Sequence, residues 1–130
     1  MSQETRKPER HIVIIDDDIT ALDIVSFLFE ERGYTVHRFS DGRNAIEFTK
    51  KFEPDLVIVD LLMPNINGVE TVKEIRNQGH ATVPIIAFTA VDDDELHSQA
   101  LSAGSNEVIT KPCPSDRLIK TIERYLPKIV

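Results

Sequence analysis

The chain alternates between short apolar runs and longer segments in which apolar residues recur with helical spacing. Five of the runs are rich in Val and Ile and have the length of β-strands. They cover residues 11–15, 34–38, 55–59, 83–88 and 107–110. The pattern therefore predicts five strands, the first of which begins at His11.

The segments that follow these runs place apolar or small residues three or four positions apart, which is typical of one face of an α-helix. The faces are Leu22, Val25 and Phe29; Ala45, Thr49 and Phe52; Val69, Val72 and Ile75; Leu96, Ala100 and Ala103; and Leu118, Ile122, Tyr125 and Ile129. The acidic run at 92–94, with Glu95 behind it, is predicted to cap the fourth helix, and Ser115 after Pro114 is predicted to be the N-cap of the fifth. Five helices are thus expected to alternate with five strands.

The first, third and fourth runs are continuously apolar and do not alternate with polar residues. This pattern indicates strands that are buried on both faces of a parallel sheet. The sequence therefore predicts a three-layer, doubly wound α/β fold, with helices on both sides of a five-stranded parallel sheet. Residues 1–10 are polar, charged and interrupted by Pro8, so they are predicted to form a flexible tail before a single domain at residues 11–130.

Composition excludes several classes of function. The net charge is −7, with 22 acidic against 15 basic residues, which disfavours direct binding to nucleic-acid phosphates. No apolar run approaches the roughly 20 residues needed to span a bilayer, and the start of the chain lacks the apolar core of a secretory signal. The single cysteine, Cys113, cannot form an internal disulfide. We therefore expect a cytoplasmic protein without a membrane span.

Polar residues follow four of the five predicted strands. Asp16, Asp17 and Asp18 follow the first strand, Asp60 the third, Thr89 and Ala90 end the fourth, and Lys111 and Pro112 follow the fifth. Functional groups of open parallel sheets gather at these carboxyl ends. Neighbouring carboxylates repel one another by about 1 kcal/mol per pair at 4 Å even in water, so a cation is expected there, and oxygen ligands suit Mg²⁺. An aspartate not used by the metal can act as a nucleophile toward a phosphoryl group.

Four motifs at these strand ends resemble the receiver domain of response regulators in two-component signalling. They are IIDDD at 14–18, VDLLMPNINGVE at 59–70, FTA at 88–90 and KP at 111–112. Because all four occur in order, each at the end of a predicted strand, the resemblance is specific, and it covers residues 11–127. It implies a flavodoxin-like sheet with the strand order 2-1-3-4-5.

The resemblance also implies a role for each residue that takes part in phosphoryl transfer. Asp60 would be the phosphoacceptor. Lys111, held by a cis bond to Pro112, would contact the phosphoryl oxygens, and Thr89 would turn its hydroxyl onto the phosphoryl group as the switch signal. The domain would catalyse only its own phosphorylation and dephosphorylation, so it would not be an enzyme in the usual sense.

A metal site is implied in the same way. Mg²⁺, for which Mn²⁺ can substitute, would be bound by Asp17 directly, by Asp16 mostly through water, by Asp60 and by the backbone carbonyl of Leu62. Asp18 does not match a ligand position of the family. Taken alone, an acidic run such as residues 16–18 is more often a solvated loop or a helix cap than a metal site.

The implied partners are a histidine kinase or a histidine phosphotransfer protein as phosphoryl donor, and a downstream protein target. The protein would be a monomer or a phosphorylation-dependent dimer. The chain would be either a stand-alone receiver or a receiver excised from a larger response regulator or a hybrid histidine kinase. The cognate kinase, the target and the pathway are not legible from the sequence.

Two departures from the family pattern affect the expected behaviour. Val108 stands where the family often has an aromatic residue that reports phosphorylation. Leu62 and Val91 occupy two positions that influence loss of the phosphoryl group, and both are apolar. Side chains that cannot orient an attacking water predict slow self-dephosphorylation.

Other interpretations remain at this stage. An aspartyl-nucleophile phosphatase also uses a strand-end Asp, Mg²⁺ and a lysine, but it needs an acid two residues after the nucleophile, where this chain has Leu62. A pseudo-receiver would keep only the fold, as a docking module. The four histidines have no ligand spacing and are assigned surface or strand-edge roles, and Cys113 is interpreted as a packing residue. The four histidines are His11, His37, His80 and His97.

Overall fold

The computed structural model describes residues 9–126, which form five strands and five helices in strict alternation. The strands are β1 (His11–Ile15), β2 (Thr35–Phe39), β3 (Leu56–Val59), β4 (Ile85–Thr89) and β5 (Glu107–Thr110), and the helices are α1 (Ile19–Glu30), α2 (Gly42–Thr49), α3 (Gly68–Asn77), α4 (Asp94–Ala103) and α5 (Ser115–Glu123). All strand pairs are parallel, and the order in the sheet is β2-β1-β3-β4-β5. The predicted fold class and strand order are confirmed.

The burial of the strands follows their composition. β3 and β4 are buried along their whole length and β1 along all but its first residue, whereas the edge strands β2 and β5 are half-buried. β1 and β5 have the predicted bounds, while β2 lies one residue later than predicted. β4 begins at Ile85 and not at Val83, because Pro84 has no N–H for the ladder and contributes only its carbonyl, to Val57.

Helices cover both faces of the sheet, as the three-layer prediction requires. On one face α1 and α5 pack against β1, β3 and β4, and the core contains Phe29, Ile58, Phe88 and Ile122 among its buried residues. On the other face α2 and α3 pack against alternate residues of the same strands. This core contains Val13 and Val57 from the strands and Ile75 from α3. A smaller cluster beneath α4 contains Leu61, Ala87 and Ala100.

Four of the five helices begin at an Asp or Asn side chain that accepts hydrogen bonds from the first turn, which satisfies otherwise unpaired N–H groups. These caps are Asp18, Asp41, Asn67 and Asp93. Asp93, within the acidic run at 92–94, therefore caps α4, as predicted. The predicted cap Ser115 is wrong: it is the first helical residue of α5, and the cap position belongs to Pro114, which has no side-chain oxygen and makes no capping hydrogen bond.

α2 and α5 end before the last apolar residues of the helix faces predicted for them. Phe52 lies beyond the end of α2, where its ring packs edge-on against His11 with the centroids 4.9 Å apart. Tyr125 lies beyond α5, and its hydroxyl donates to Glu107 Oε1 at 2.6 Å. Ile129 and most of the predicted tail lie outside the described residues. Within residues 9–126 no helix is long and apolar enough to cross a membrane.

Arg76, near the end of α3, ties together the end of the sheet where its strands begin. Its guanidinium donates to the carbonyls of His80, Val83 and Gly104 at 2.5 to 3.1 Å and to Asn106 Oδ1 at 3.0 Å. Asn106 Oδ1 also accepts from the N–H of Ile85, at the start of β4. Burial lowers the pKa of Arg76, and none of these partners is a carboxylate. One side chain thus connects α3, the loop before β4 and the loop before β5.

We expect Arg76→Met to lower the free energy of unfolding by about 3 kcal/mol, because several partly buried carbonyls lose a charged donor at once. Urea denaturation measures this loss. The control is Lys73→Met on the same helix, where the exposed lysine lies 3.8 Å from Glu70. An exposed pair of this kind contributes about 0.5 kcal/mol or less. Equal losses in the two variants would contradict the structural role assigned to Arg76.

Candidate phosphoryl-transfer site

The strand-end residues are fixed in place by hydrogen bonds that continue the sheet beyond its strands. The N–H of Asp16 donates to Phe39 O and that of Asp60 to Ile15 O, both at 3.0 Å. The N–H of Lys111 donates to Thr89 O at 2.7 Å. Because each residue is bonded to the neighbouring strand, the side chains that follow β1, β3 and β5 share one edge of the sheet.

Three carboxylates and one ammonium group meet at this edge. Asp16, Asp17 and Asp60 each offer an oxygen, and these oxygens lie within 4.8 Å of one another. Lys111 Nζ lies 2.7 Å from Asp16 Oδ2 and 3.6 Å from Asp60 Oδ2. Asp16 is buried, Asp60 is half-buried and Asp17 is exposed, so the cluster opens to solvent on one side. Asp18, which caps α1, is not part of the cluster.

The cluster has an excess of negative charge. Burial raises the pKa of the Asp16 carboxyl above 3.8, and the charge of Asp60 acts in the same direction. The hydrogen bonds from Lys111 and from the N–H of Asp18 oppose this shift without cancelling it. A single lysine therefore does not balance three carboxylates at this edge.

Lys111 reaches the cluster along the surface of an aromatic ring. Its Nζ lies 5.1 Å from the centroid of Phe88, the residue before the end of β4. The peptide bond between Lys111 and Pro112 is cis, as the resemblance implies. The ring and the two carboxylates hold the ammonium group between Asp16 and Asp60.

The loop after β3 contacts both the side chain and the backbone of Asp60. The N–H of Leu62 donates to Asp60 Oδ1 at 3.3 Å, and the Leu62 side chain is 55% exposed. Gly68 begins α3 directly against this loop, and a Cβ at Gly68 would overlap the carbonyl oxygen of Asp60 and the Cα of Leu61. Only glycine allows so close an approach. The backbone of Asp60 is therefore packed against the start of α3.

Thr89 ends β4 and is completely buried. Its hydroxyl oxygen accepts from the N–H of Val91 at 3.3 Å. Among the contacts described for residues 9–126, it makes no hydrogen bond to Asp60 or Lys111. The carbonyl of Val91 in turn accepts from His97 Nε2 at 2.7 Å.

Most of the predicted site residues are thus brought together. Asp16, Asp17, Asp60 and Lys111 share one cluster, and Thr89 lies at the neighbouring strand end with its hydroxyl turned to Val91. For Leu62 the described contact involves the N–H, so its carbonyl as a metal ligand stays a prediction. The contact of His97 was missed, because its sequence position, eight residues after Thr89, does not indicate where the ring lies.

The comparisons agree with this architecture. The family model "Response regulator receiver domain" matches residues 12–123. The chain is 30% identical to the chemotaxis protein CheY4 of Vibrio cholerae, over 92% of this chain and 100% of that one, with a TM-score of 0.86. It is 31% identical to the signal receiver domain of a signal transduction histidine kinase from Syntrophus aciditrophicus, over 90% and 89% of the two chains, with a TM-score of 0.82.

A third structure, the receiver domain of the Francisella response regulator 1452, is 27% identical over 90% of this chain and 96% of that one, with a TM-score of 0.82. The family match covers the whole of the sheet except its first residue, and four of the strand-end positions that carry the resemblance lie together in one cluster. The chain therefore belongs to the response-regulator receiver domain family, whose members are phosphoacceptors in two-component signalling.

Proposed function

We propose that this receiver accepts a phosphoryl group on Asp60 from the phosphohistidine of a histidine kinase or a histidine phosphotransfer protein. The observation that carries the proposal is the position of the Asp60 carboxylate, half-buried, with Lys111 Nζ 3.6 Å away and two further aspartates within 4.8 Å. A carboxylate oxygen of Asp60 attacks phosphorus, the P–N bond to the imidazole breaks, and an acyl phosphate forms.

The donor set fits a hard divalent cation. Asp16, Asp17 and Asp60 supply only oxygen, and their excess negative charge is what a divalent cation would neutralise. Burial, and to a smaller extent the charge of Asp60, raises the pKa of the Asp16 carboxyl, so this carboxylate gains from a nearby cation. Mg²⁺, or Mn²⁺ in its place, would be held by these carboxylates and by the carbonyl of Leu62. When bound, the metal supplies positive charge to the oxygens of the transferring group.

The chain's own residues do the remaining work. Lys111 moves from Asp16 toward the phosphoryl oxygens, a short distance because its Nζ already lies between Asp16 and Asp60. The hydroxyl of Thr89 leaves Val91 and donates to the phosphoryl group. This exchange moves the loop after β4, and it is the signal that a downstream protein target reads.

The proposed setting is a cytoplasmic phosphorelay. The net charge of −7 disfavours direct binding to nucleic acid, so we propose protein partners only. The receiver acts as a monomer or as a phosphorylation-dependent dimer. It is either a stand-alone protein or part of a longer one. The similarity to a chemotaxis protein and to a receiver within a histidine kinase is compatible with both.

Intact mass after incubation with acetyl phosphate and Mg²⁺ tests the acceptor. We expect the wild type to gain one phosphoryl group, and we expect no gain for Asp60→Asn or for the wild type in EDTA, because nucleophile and metal are both needed. The exposed Asp92 provides a control, since Asp92→Asn should gain the group as the wild type does. An unchanged gain in Asp60→Asn would place the acceptor elsewhere.

Burial of the Asp16 carboxylate predicts that the site destabilises the metal-free fold. The folded-state pKa of Asp16 is raised, so the unfolded chain loses this proton first as the pH rises. The stability contributed by the protonated form is present below about pH 4 and is lost as the pH rises through the folded-state pKa. Without metal near pH 7, Asp16→Asn should therefore raise the free energy of unfolding by about 1 kcal/mol, because a buried charge that also repels Asp60 is removed.

Urea denaturation over a range of pH measures this effect. The advantage of Asp16→Asn should vanish near pH 3, where the carboxyl is protonated in both states. Saturating Mg²⁺ should stabilise the wild type and have a much smaller effect on Asp16→Asn. Asp92→Asn serves as the control with little change. Lower stability of Asp16→Asn at neutral pH would mean that the pair with Lys111 outweighs the repulsion.

The apolar side chains beside the acceptor predict a long-lived acyl phosphate. Leu62, whose N–H donates to Asp60, has an exposed apolar side chain that cannot orient an attacking water. We expect Leu62→Asn to accelerate phosphate loss from the purified phosphorylated protein by roughly tenfold, because the amide can hold that water. The matched control is Leu101→Asn, an exposed leucine on α4. Equal rates for the two variants would show that Leu62 does not govern the lifetime.

A further inference from the structure

The backbone of Val91 is held by side chains at both of its polar groups. Its N–H donates to Thr89 Oγ1 at 3.3 Å, and its carbonyl accepts from His97 Nε2 at 2.7 Å. Thr89 is the last residue of β4, and His97 is the fourth residue of α4. Two hydrogen bonds therefore run from the end of the sheet through one loop residue to the next helix.

The chemistry of the second bond fixes its donor. A carbonyl oxygen only accepts, so Nε2 of His97 carries the proton. The neutral imidazole has an N–H at this position in its Nε2–H tautomer. The ring is half-buried, and its backbone N–H is used separately, in the helical bond to Asp93 O at 3.0 Å. The imidazole bond is thus additional to those that form α4.

We propose that His97 is a positioning residue that holds the loop 89–91 in its resting arrangement and so sets how readily Asp60 is phosphorylated. This inference rests on the proposed function, in which the hydroxyl of Thr89 must reach the phosphoryl group. In the resting arrangement that hydroxyl is engaged by Val91. When the hydroxyl leaves Val91 the loop has to move, and the bond from His97 to the carbonyl of Val91 opposes that movement.

The consequence is a bias against the conformation that accepts phosphate. A single hydrogen bond shifts a conformational equilibrium by roughly two- to tenfold. Removing the donor of His97 therefore increases the fraction of molecules in which the loop 89–91 has moved to the arrangement that accepts phosphate, and phosphorylation by a small donor becomes faster by a similar factor. A residue that contacts neither metal nor phosphate would then control the rate.

The chain offers a closely matched control. His80 Nε2 contacts the carbonyl of Thr49 at 2.7 Å, the same kind of bond at the same distance, in the loop that precedes β4. Both rings are half-buried. His80→Leu and His97→Leu therefore remove equivalent bonds, but only one of them is connected to the loop after β4.

The test compares initial rates of phosphorylation by sub-saturating acetyl phosphate with Mg²⁺, followed by intact mass. We expect His97→Leu to react two- to tenfold faster than the wild type, His80→Leu to match the wild type, and His97→Gln to return toward the wild-type rate because its amide N–H can donate to Val91. Urea denaturation of all variants separates the rate effect from a general loss of stability. NMR of the imidazole nitrogens should find Nε2 of His97 protonated in the unphosphorylated wild type.

Each other outcome overturns the inference. A folded His97→Leu with the wild-type rate, a His97→Gln as fast as His97→Leu, or an Nδ1–H tautomer at His97 would show that the bond does not restrain the loop. Failure of the wild type and of every variant to gain a phosphoryl group would overturn the proposed function, and the rate effect with it. Phosphorylation at equal rates in all of them would overturn the role of His97 alone.

Discussion

Parallel pairing of β1 with β3 and of β4 with β5 is the constraint on which the site depends. Each strand delivers its next residue to the same edge, and hydrogen bonds from Asp16, Asp60 and Lys111 to neighbouring strands keep those residues in register past the strand ends. The side chains are then close because the backbones cannot separate without breaking the sheet. Gly68 adds a second restraint, since α3 is packed directly against the backbone of Asp60.

This arrangement concentrates charge where burial makes charge unfavourable. Asp16 is 5% exposed, yet its partners are one lysine and two further carboxylates. The core beneath the cluster is apolar and closely packed, so the unfavourable burial of charge is confined to the edge of the sheet. A site of this kind is ready to bind a cation, because a cation relieves an excess of negative charge that already exists.

The sequence predicts the strands and their chemistry well, because continuous Val and Ile runs have few alternatives to a buried parallel strand. It predicts boundaries less well where a single backbone group decides, as at Pro84, which delays β4, and at Pro114, which takes the cap position expected for Ser115. Phe52 has helical spacing but packs on His11 from beyond the end of α2. The apolar pattern therefore continues past the last residue of the hydrogen-bonded helix.

The links between elements are the least predictable part of the site. The contact of His97 with Val91 and the contacts of Arg76 with loop carbonyls are made to backbone oxygens, which every residue carries. The residue type at the accepting position therefore does not indicate the contact, and the sequence alone does not reveal it. Such contacts become visible only when the path of the chain is known.

The contacts of Arg76 also distinguish the two ends of the sheet in their response to solution conditions. The partners of Arg76 are carbonyls and an amide oxygen, none of which titrates, and their dipoles are local. At the opposite end, Lys111 is held by the carboxylates of Asp16 and Asp60, and burial raises the pKa of the Asp16 carboxyl. A change of pH therefore alters the charge balance where Asp16, Asp60 and Lys111 meet and leaves the contacts of Arg76 at the other end unchanged. It acts on the chemistry of the molecule and not on this anchor of its fold.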